Sequence, residues 1–210
     1  MVYSGILFIA VVLVVSVRYL KESWYRFVKP FPMVLIFGFY LVHFQNVPHY
    51  YLLGLGFLSG LAGDLLLLNE KRFIHGLGAF LLGHLFYIIT FSISVNWLRP
   101  EYNLLIFLVI LCSAYAALLY RHLRHAGRDK YIVPVFIYRA VLASMIFTAS
   151  MAGLESTGFN LVIRGAILFG LSDIVLSFNK IIQPFRAAQG IILVTYYSGQ
   201  ALIIAEFALR

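Results

Sequence analysis

Charge is what this chain has least of. Only 11% of its 210 residues are charged, and just eight of them are acidic. A soluble globular domain carries roughly 25% charged residues, so a chain this poor in them cannot cover its surface in water. Cysteine is scarcer still. Cys112 stands alone, which excludes an internal disulfide and says nothing about redox compartment. No basic residue precedes the first apolar run and no small-residue cleavage site follows it, so residues 4–20 read as a retained helix rather than a signal peptide. Motifs are missing as well. There is no glycine-rich loop ending in lysine, no Gly-x-Ser-x-Gly elbow and no Ser-x-x-Lys, which removes support for a phosphate loop or a serine nucleophile. The six histidines, His43, His49, His75, His84, His122 and His125, never adopt the His-x-x-x-His or His-Glu-x-x-His spacing of zinc hydrolases. No metal and no cofactor are therefore expected.

What the chain has in abundance is apolar side chains, 62% of the total, with a mean hydropathy of +0.94. Soluble domains hold roughly 45–50%. The apolar runs are continuous rather than alternating, which excludes a membrane β-barrel. An all-α integral membrane protein remains. A spanning helix needs about 20 mostly apolar residues, and eight segments meet or approach that: 4–20, 30–45, 50–68, 73–95, 104–120, 131–151, 160–178 and 187–206. The connecting loops are too short for a soluble module, so residues 1–210 read as one transmembrane domain.

Basic residues orient it. Twelve of them (Arg18, Lys21, Arg26, Lys29, Lys71, Arg72, Arg121, Arg124, Arg128, Lys130, Lys180 and Arg186) flank or lie in the loops after the first, third, fifth and seventh segments. Only Arg99 and Arg210 mark the other side. The positive-inside rule makes those four loops cytoplasmic and both termini non-cytoplasmic. The basic clusters thus report topology and contact with anionic membrane lipids rather than nucleic acid.

Two aspartates interrupt the apolar runs, in similar surroundings. One lies in Gly60-Leu61-Ala62-Gly63-Asp64, followed by Asn69 and Lys71; the other lies in Gly170-Leu171-Ser172-Asp173, followed by Asn179 and Lys180. An ionisable group inside a membrane span is expensive and marks a functional site by default. Each aspartate falls about five or six residues before a cytoplasmic loop, or ~8 Å deep at 1.5 Å per residue. They are 109 positions apart (173 − 64) on segments running in the same direction. Residues 1–96 and 103–210 then form two parallel four-helix repeats about an axis along the membrane normal. Pro32 and Pro134 open corresponding apolar stretches.

Other polar residues share these spans. Gly76, Phe80, Gly83, His84 and Tyr87 recur at steps of three and four, so they occupy one helix face. His84 and Tyr87 either cross-link helices there or touch substrate. Tyr138 and Arg139 lie about two turns inside the cytoplasmic boundary, at a depth where the arginine needs a carboxylate, a phosphate or a wet cavity. Paired with one aspartate, Arg139 would separate two chemically identical groups into an acid and a base. Tyr196, Tyr197 and Gln200 are placed to point inward together from the last segment.

These residues resemble those of the YhhN family, which includes the lysoplasmalogenases, membrane hydrolases of eight helices. The resemblance rests on Gly63-Asp64, on Gly76, Phe80, His84 and Tyr87, on Pro134 and Tyr138, on Gly165, Phe169, Ser172, Asp173 and Leu176, and on Tyr196, Tyr197, Gln200 and Leu202. Gly199 departs from an expected alanine. The resemblance implies hydrolysis of the vinyl-ether bond of a lysoplasmalogen, a lysophospholipid, to a fatty aldehyde and glycerophospho-ethanolamine or -choline. The chemistry asks for a general acid and a second carboxylate, without metal. Asp64 and Asp173 are the candidates, with neither role assigned. His84, Tyr87, Tyr138, Arg139, Ser172, Tyr196, Tyr197 and Gln200 are the candidate substrate-binding residues. The expected setting is a bacterial inner membrane, crossed many times. Mid-depth acids in parallel repeats also describe a small proton-coupled carrier or a lipid-binding membrane protein, the rival reading. Nothing in the pattern fixes an oligomeric state.

Overall fold

The computed structural model describes residues 2–43, 48–93, 95–98, 100–155 and 160–208; Arg99 and Arg210 lie outside them. Helices account for nearly all of it: α1 (Val2–Leu20), α2 (Glu22–Val28), α3 (Phe31–Val42), α4 (Pro48–Leu66), α5 (Phe73–Ser92), α6 (Tyr102–His125), α7 (Ile132–Glu155), α8 (Asn160–Ser177) and α9 (Ala188–Ala208). No strand occurs among the described residues. Among the described residues the apolar runs are helical because an apolar backbone segment satisfies its own N–H and C=O groups only that way in lipid. Breaks between helices have local causes. Pro32 sits in the first turn of α3, where its missing N–H is no loss. Gly127, at φ 62°, closes α6. The Arg128 and Gly127 amides there donate to the carbonyls of Leu123 and Arg124, at 2.9 and 3.1 Å. That pattern is a Schellman cap.

Among the described residues, six helical segments are long and apolar enough to cross a membrane, and Gly5–Leu20 is a shorter apolar helix. This is a multi-pass integral membrane protein. α4 falls outside the six because its 19 residues include Pro48, His49, Tyr50, Tyr51, Ser59, Asp64 and four glycines. One expectation changes at this level. Residues 21–29, read from sequence as a loop, contain α2, whose Trp24 and Phe27 face outward.

Two helix pairs pack at backbone contact. A Cβ on Gly83 would sit 2.9 Å from the carbonyl oxygen of Gly56, so α4 and α5 touch only because both positions lack side chains. A Cβ on Gly165 would sit 2.8 Å from the carbonyl oxygen of Gly199, and the reverse holds, so α8 and α9 touch in the same manner. Close approach through small residues is how helices gain packing energy where lipid offers no hydrophobic drive. Phe80, Phe169 and Tyr196 pack edge-on with centroids 5.2–6.2 Å apart. That cluster joins α5, α8 and α9 beneath the site described next. α6 lies outermost, with Phe107, Val109 and Ile110 exposed as a lipid-facing surface.

Candidate active site

Both aspartates line one cavity of about 360 Å³. Its walls come from one end of the bundle: the last turns of α1 and α4, Tyr25 and Arg26 of α2, the first two to three turns of α5 and α9, and the end of α8. Asp64 is two residues from the end of α4, nearer its terminus than the sequence suggests. Asp173 is four residues from the end of α8, and that helix continues through a π-turn over Phe178–Ile182. Side chains of the two acids are 8% and 5% exposed, so neither is solvated as a surface carboxylate would be.

Their partners differ, and the difference divides them chemically. The Lys29 ammonium lies 2.7 Å from Asp64 Oδ1 and also donates to the Asp64 carbonyl oxygen at 2.8 Å. Tyr197 Oη donates to the Lys29 carbonyl oxygen at 2.7 Å and reaches Asp64 Oδ2 at 3.4 Å. Asp64 therefore sits in a buried ion pair braced by a phenol. Among the described residues, no lysine or arginine pairs with the Asp173 carboxylate in this way. The Tyr138 hydroxyl donates to Asp173 Oδ2. His84 Nε2 is 3.8 Å from the same oxygen, too long for a hydrogen bond. The His84 ring is fully buried against Tyr138 and Phe169, at centroid distances of 5.3 and 4.8 Å.

Arg139 corrects the sequence reading. Its guanidinium bonds not to a carboxylate but to the Asp173 carbonyl oxygen, at 2.8 Å, and to Ser177 Oγ. It also lies 5.0 Å above the Tyr115 ring. It lines a separate narrow cleft on the far side of Asp173, shared with Tyr138, and not the main cavity. The cation that meets a carboxylate is Lys29, which the sequence presents only as one of many loop-flanking basic residues.

The remaining candidates divide in two. Ser172 and Tyr196 line the main cavity beside the acids. Ser172 Oγ donates to the Ile192 carbonyl oxygen at 3.3 Å, tying α8 to α9. Tyr196 Oη is buried without a hydrogen-bond partner. Tyr87 and Gln200 lie behind the cavity wall, where Tyr87 Oη donates to Gln200 Oε1 at 2.6 Å. Gln200 Nε2 has no partner. A Cβ at Gly60 would fall 3.0 Å from that nitrogen and 3.2 Å from Tyr196 Oη, so the glycine leaves room for both. Among the described residues, no group of His, Cys, Asp and Glu is arranged to hold a metal ion.

The YhhN family model matches residues 24–207, which contain both aspartates and Lys29. The chain belongs to the YhhN family. Human "Lysoplasmalogenase TMEM86B" is 31% identical to it over 182 residues, covering 86% of this chain and 74% of the human protein. The pig protein of the same name is 34% identical over 146 residues, covering 70% of this chain and 58% of its own length. A lysoplasmalogenase of Mycobacterium bovis is 32% identical over 135 residues, with 64% of this chain and 51% of that protein covered. No solved structure matches the chain. In this YhhN member the site extends beyond the residues that sequence singles out. Arg18, Tyr25, Arg26, Lys29 and Lys180 also line the acid-bearing cavity. All but Tyr25 are visible in sequence as basic residues near helix ends; only their convergence is not.

Proposed function

We propose that this chain hydrolyses the vinyl-ether bond of lysoplasmalogens, with Asp64 and Asp173 as its acid and carboxylate pair. The observation that carries the reading is that two buried carboxylates with dissimilar partners share one cavity. The chain around them is similar over most of its length to proteins named lysoplasmalogenase. A vinyl ether is cleaved by protonating its β-carbon. That forms an oxocarbenium ion, which water captures as a hemiacetal that collapses to aldehyde and alcohol. The reaction uses one proton donor and one anion that steadies the cation and takes a proton from water. Asp64, held by Lys29, is the anion. Asp173 is the donor: Tyr138 occupies Oδ2, leaving Oδ1 to carry the transferred proton. Ser172 and Tyr196 contact substrate, Tyr138 and Tyr197 position the two carboxylates, and His84 backs Asp173. Tyr87 and Gln200 brace the wall, and Arg139 anchors the α8 backbone at Asp173.

The same reading extends to topology. Gly56 and Gly165 are 109 positions apart (165 − 56), as the aspartates are, and each marks a backbone contact with the helix that follows it. This favours eight spanning helices in two parallel repeats, about 1–96 and 103–210, within one domain. The cavity opens on the side of the basic loops, hence toward the cytoplasm, with both termini on the other side of a bacterial inner membrane.

The test is aldehyde release from 1-alkenyl-glycerophosphoethanolamine by purified protein in detergent, with the matching acyl lysolipid as control. Asp64→Asn and Asp173→Asn should each lower the rate at least about a hundredfold while retaining wild-type helicity. A folded variant that keeps near-wild-type rate removes that residue from the mechanism. A carrier would release no aldehyde at all.

A further inference from the structure

Two polar atoms beside the acid-lined cavity, Tyr196 Oη and Gln200 Nε2, are buried without a hydrogen-bond partner among the described residues. Tyr196 is 3% exposed and Gln200 is 0% exposed. Leaving a buried donor unmade is costly, and native structures do so where a bound water or a function accounts for it.

Their placement is built. Tyr87 Oη donates to Gln200 Oε1 at 2.6 Å, which turns the amide so that Nε2 faces α4. The Tyr87 ring is wedged against that helix, since a Cβ at Gly56 would fall 2.7 Å from it. One turn along α4 is Gly60, where a Cβ would lie 3.0 Å from Gln200 Nε2 and 3.2 Å from Tyr196 Oη. The missing methyl opens a recess floored by Gly60, with a hydroxyl on one side and an amide N–H on the other. The two groups are close enough to interact, yet they complete no bond of ordinary geometry with each other.

The recess adjoins the proposed chemistry. Tyr196 lines the cavity that holds both acids, whereas Gly60 and Gln200 lie behind it. Gly60 and Asp64 are one turn apart on the same face of α4. The groups that form the recess are neutral. An amide N–H donates and a phenol donates or accepts, which complements a small oxygen that both accepts and gives a hydrogen bond. A side pocket reached past one hydroxyl suits water rather than a lipid group.

We propose that Gln200 Nε2 and Tyr196 Oη, over Gly60, hold the water molecule that captures the oxocarbenium ion. This rests on the hydrolase reading and gives Gln200 a part beyond bracing the wall. The water accepts from Gln200 and donates one hydrogen to Tyr196 and the other to Asp64, which leaves one lone pair for attack. That pair forms the new C–O bond and the C=O π pair returns to the ether oxygen. Asp64 takes the water's proton, leaving a neutral hemiacetal.

Two readouts test this. A crystal structure of the purified protein at a resolution that shows waters should place one within about 3.2 Å of both atoms, and Gly60→Ala should remove it. That variant meets only side-chain ends and gains helix propensity, so it should fold. The second readout is the choice of nucleophile. In a water–methanol mixture, methanol captures the oxocarbenium ion as a mixed acetal that keeps the headgroup, counted by mass spectrometry against aldehyde. Wild type should disfavour methanol by about tenfold or more relative to the solvent ratio, because an added methyl overfills the recess. Gly60→Ala and Gln200→Leu should lower kcat about three- to tenfold, as loss of one neutral hydrogen bond implies. KM should hold, and the acetal share should rise toward the solvent ratio. Gly78→Ala should match wild type in both respects. A purely structural role lowers the rate without moving the acetal share. The proposal is overturned if no water joins the two atoms in wild type, if wild type takes methanol in proportion to its abundance, or if the recess variants keep the wild-type share. If wild type yields neither aldehyde nor acetal, the hydrolase reading falls and the capture role with it, whereas failure of the proposal alone leaves aldehyde release intact.

Discussion

Replacing Lys29 with methionine keeps most of the apolar stem of the side chain and removes the ammonium, with its charge and its hydrogen bond to the Asp64 carbonyl. The Lys29–Asp64 pair is buried, at 9% and 8% side-chain exposure, with the ammonium 2.7 Å from Oδ1. At an effective dielectric of about 20, two unit charges at that distance attract by roughly 6 kcal/mol before desolvation is counted. Desolvation offsets most of this when both partners are present. When one is removed, the buried charge left behind costs about 3–5 kcal/mol. The Lys29→Met variant should therefore lose about 3–5 kcal/mol, read by SDS-titrated unfolding in mixed micelles with far-UV circular dichroism. Lys29→Met combined with Asp64→Asn leaves no uncompensated charge. Its main deficit is the lost bond from the ammonium to the Asp64 carbonyl, about 1 kcal/mol by ordinary hydrogen-bond values. Stability should thus return in the double variant while aldehyde release stays absent. Two results would refute this account. A single-variant loss below about 1 kcal/mol would mean that Lys29 does not hold a buried carboxylate. A double variant as unstable as the single would mean that the loss comes from packing.

Two further expectations test the site and its frame. Tyr138→Phe removes the hydrogen bond to Asp173 Oδ2 without changing the ring. As Asp173 gives up its proton this becomes a bond to a charged group, worth roughly 1.5–3 kcal/mol, so kcat should fall about 10- to 100-fold with KM nearly unchanged, and an unaltered kcat would exclude Tyr138 from positioning the acid. Gly165→Ala places a Cβ 2.8 Å from the Gly199 carbonyl oxygen and 3.1 Å from the Ile203 nitrogen, both backbone atoms. It should destabilise by about 1–3 kcal/mol, as overpacking does. Gly78→Ala meets nothing within 4 Å and should be neutral or stabilise by up to about 1 kcal/mol through helix propensity. Equal effects at the two positions in the same unfolding assay would contradict the close α8–α9 contact.

Helix positions are legible in the sequence because they follow from the apolar runs and their periodicity. The face carrying Gly76, Phe80, Gly83, His84 and Tyr87 is buried in full, as steps of three and four require. What periodicity does not give is the direction in which a long side chain leaves its helix relative to other helices. Arg139 lies at a depth compatible with Asp173, yet its guanidinium takes the backbone oxygen and not the carboxylate. Lys29 is harder to find. A lysine beside Pro30 near a helix end is expected to extend toward water with its charge at the interface. Instead α2, only seven residues long and too short to declare itself by periodicity, turns the chain so that this ammonium is buried against Asp64.

The most informative asymmetry therefore lies outside the matching aspartate segments. In the two-repeat arrangement proposed above, duplication supplies two carboxylates in similar settings, whereas vinyl-ether hydrolysis uses one that donates a proton and one that stays an anion. The glycine contacts and the aspartates are alike in both halves and cannot make that distinction. The partners can, because they reach the acids from different elements: an ammonium from just before α3 to Asp64, and a phenol from two turns inside α7 to Asp173. If this is how the roles are divided, exchanging the acids' partners should matter more than exchanging the acids themselves. Arginine at position 29 should then retain activity because it keeps a cation on Asp64. Glutamine there retains a hydrogen-bond donor but no charge, so it should not.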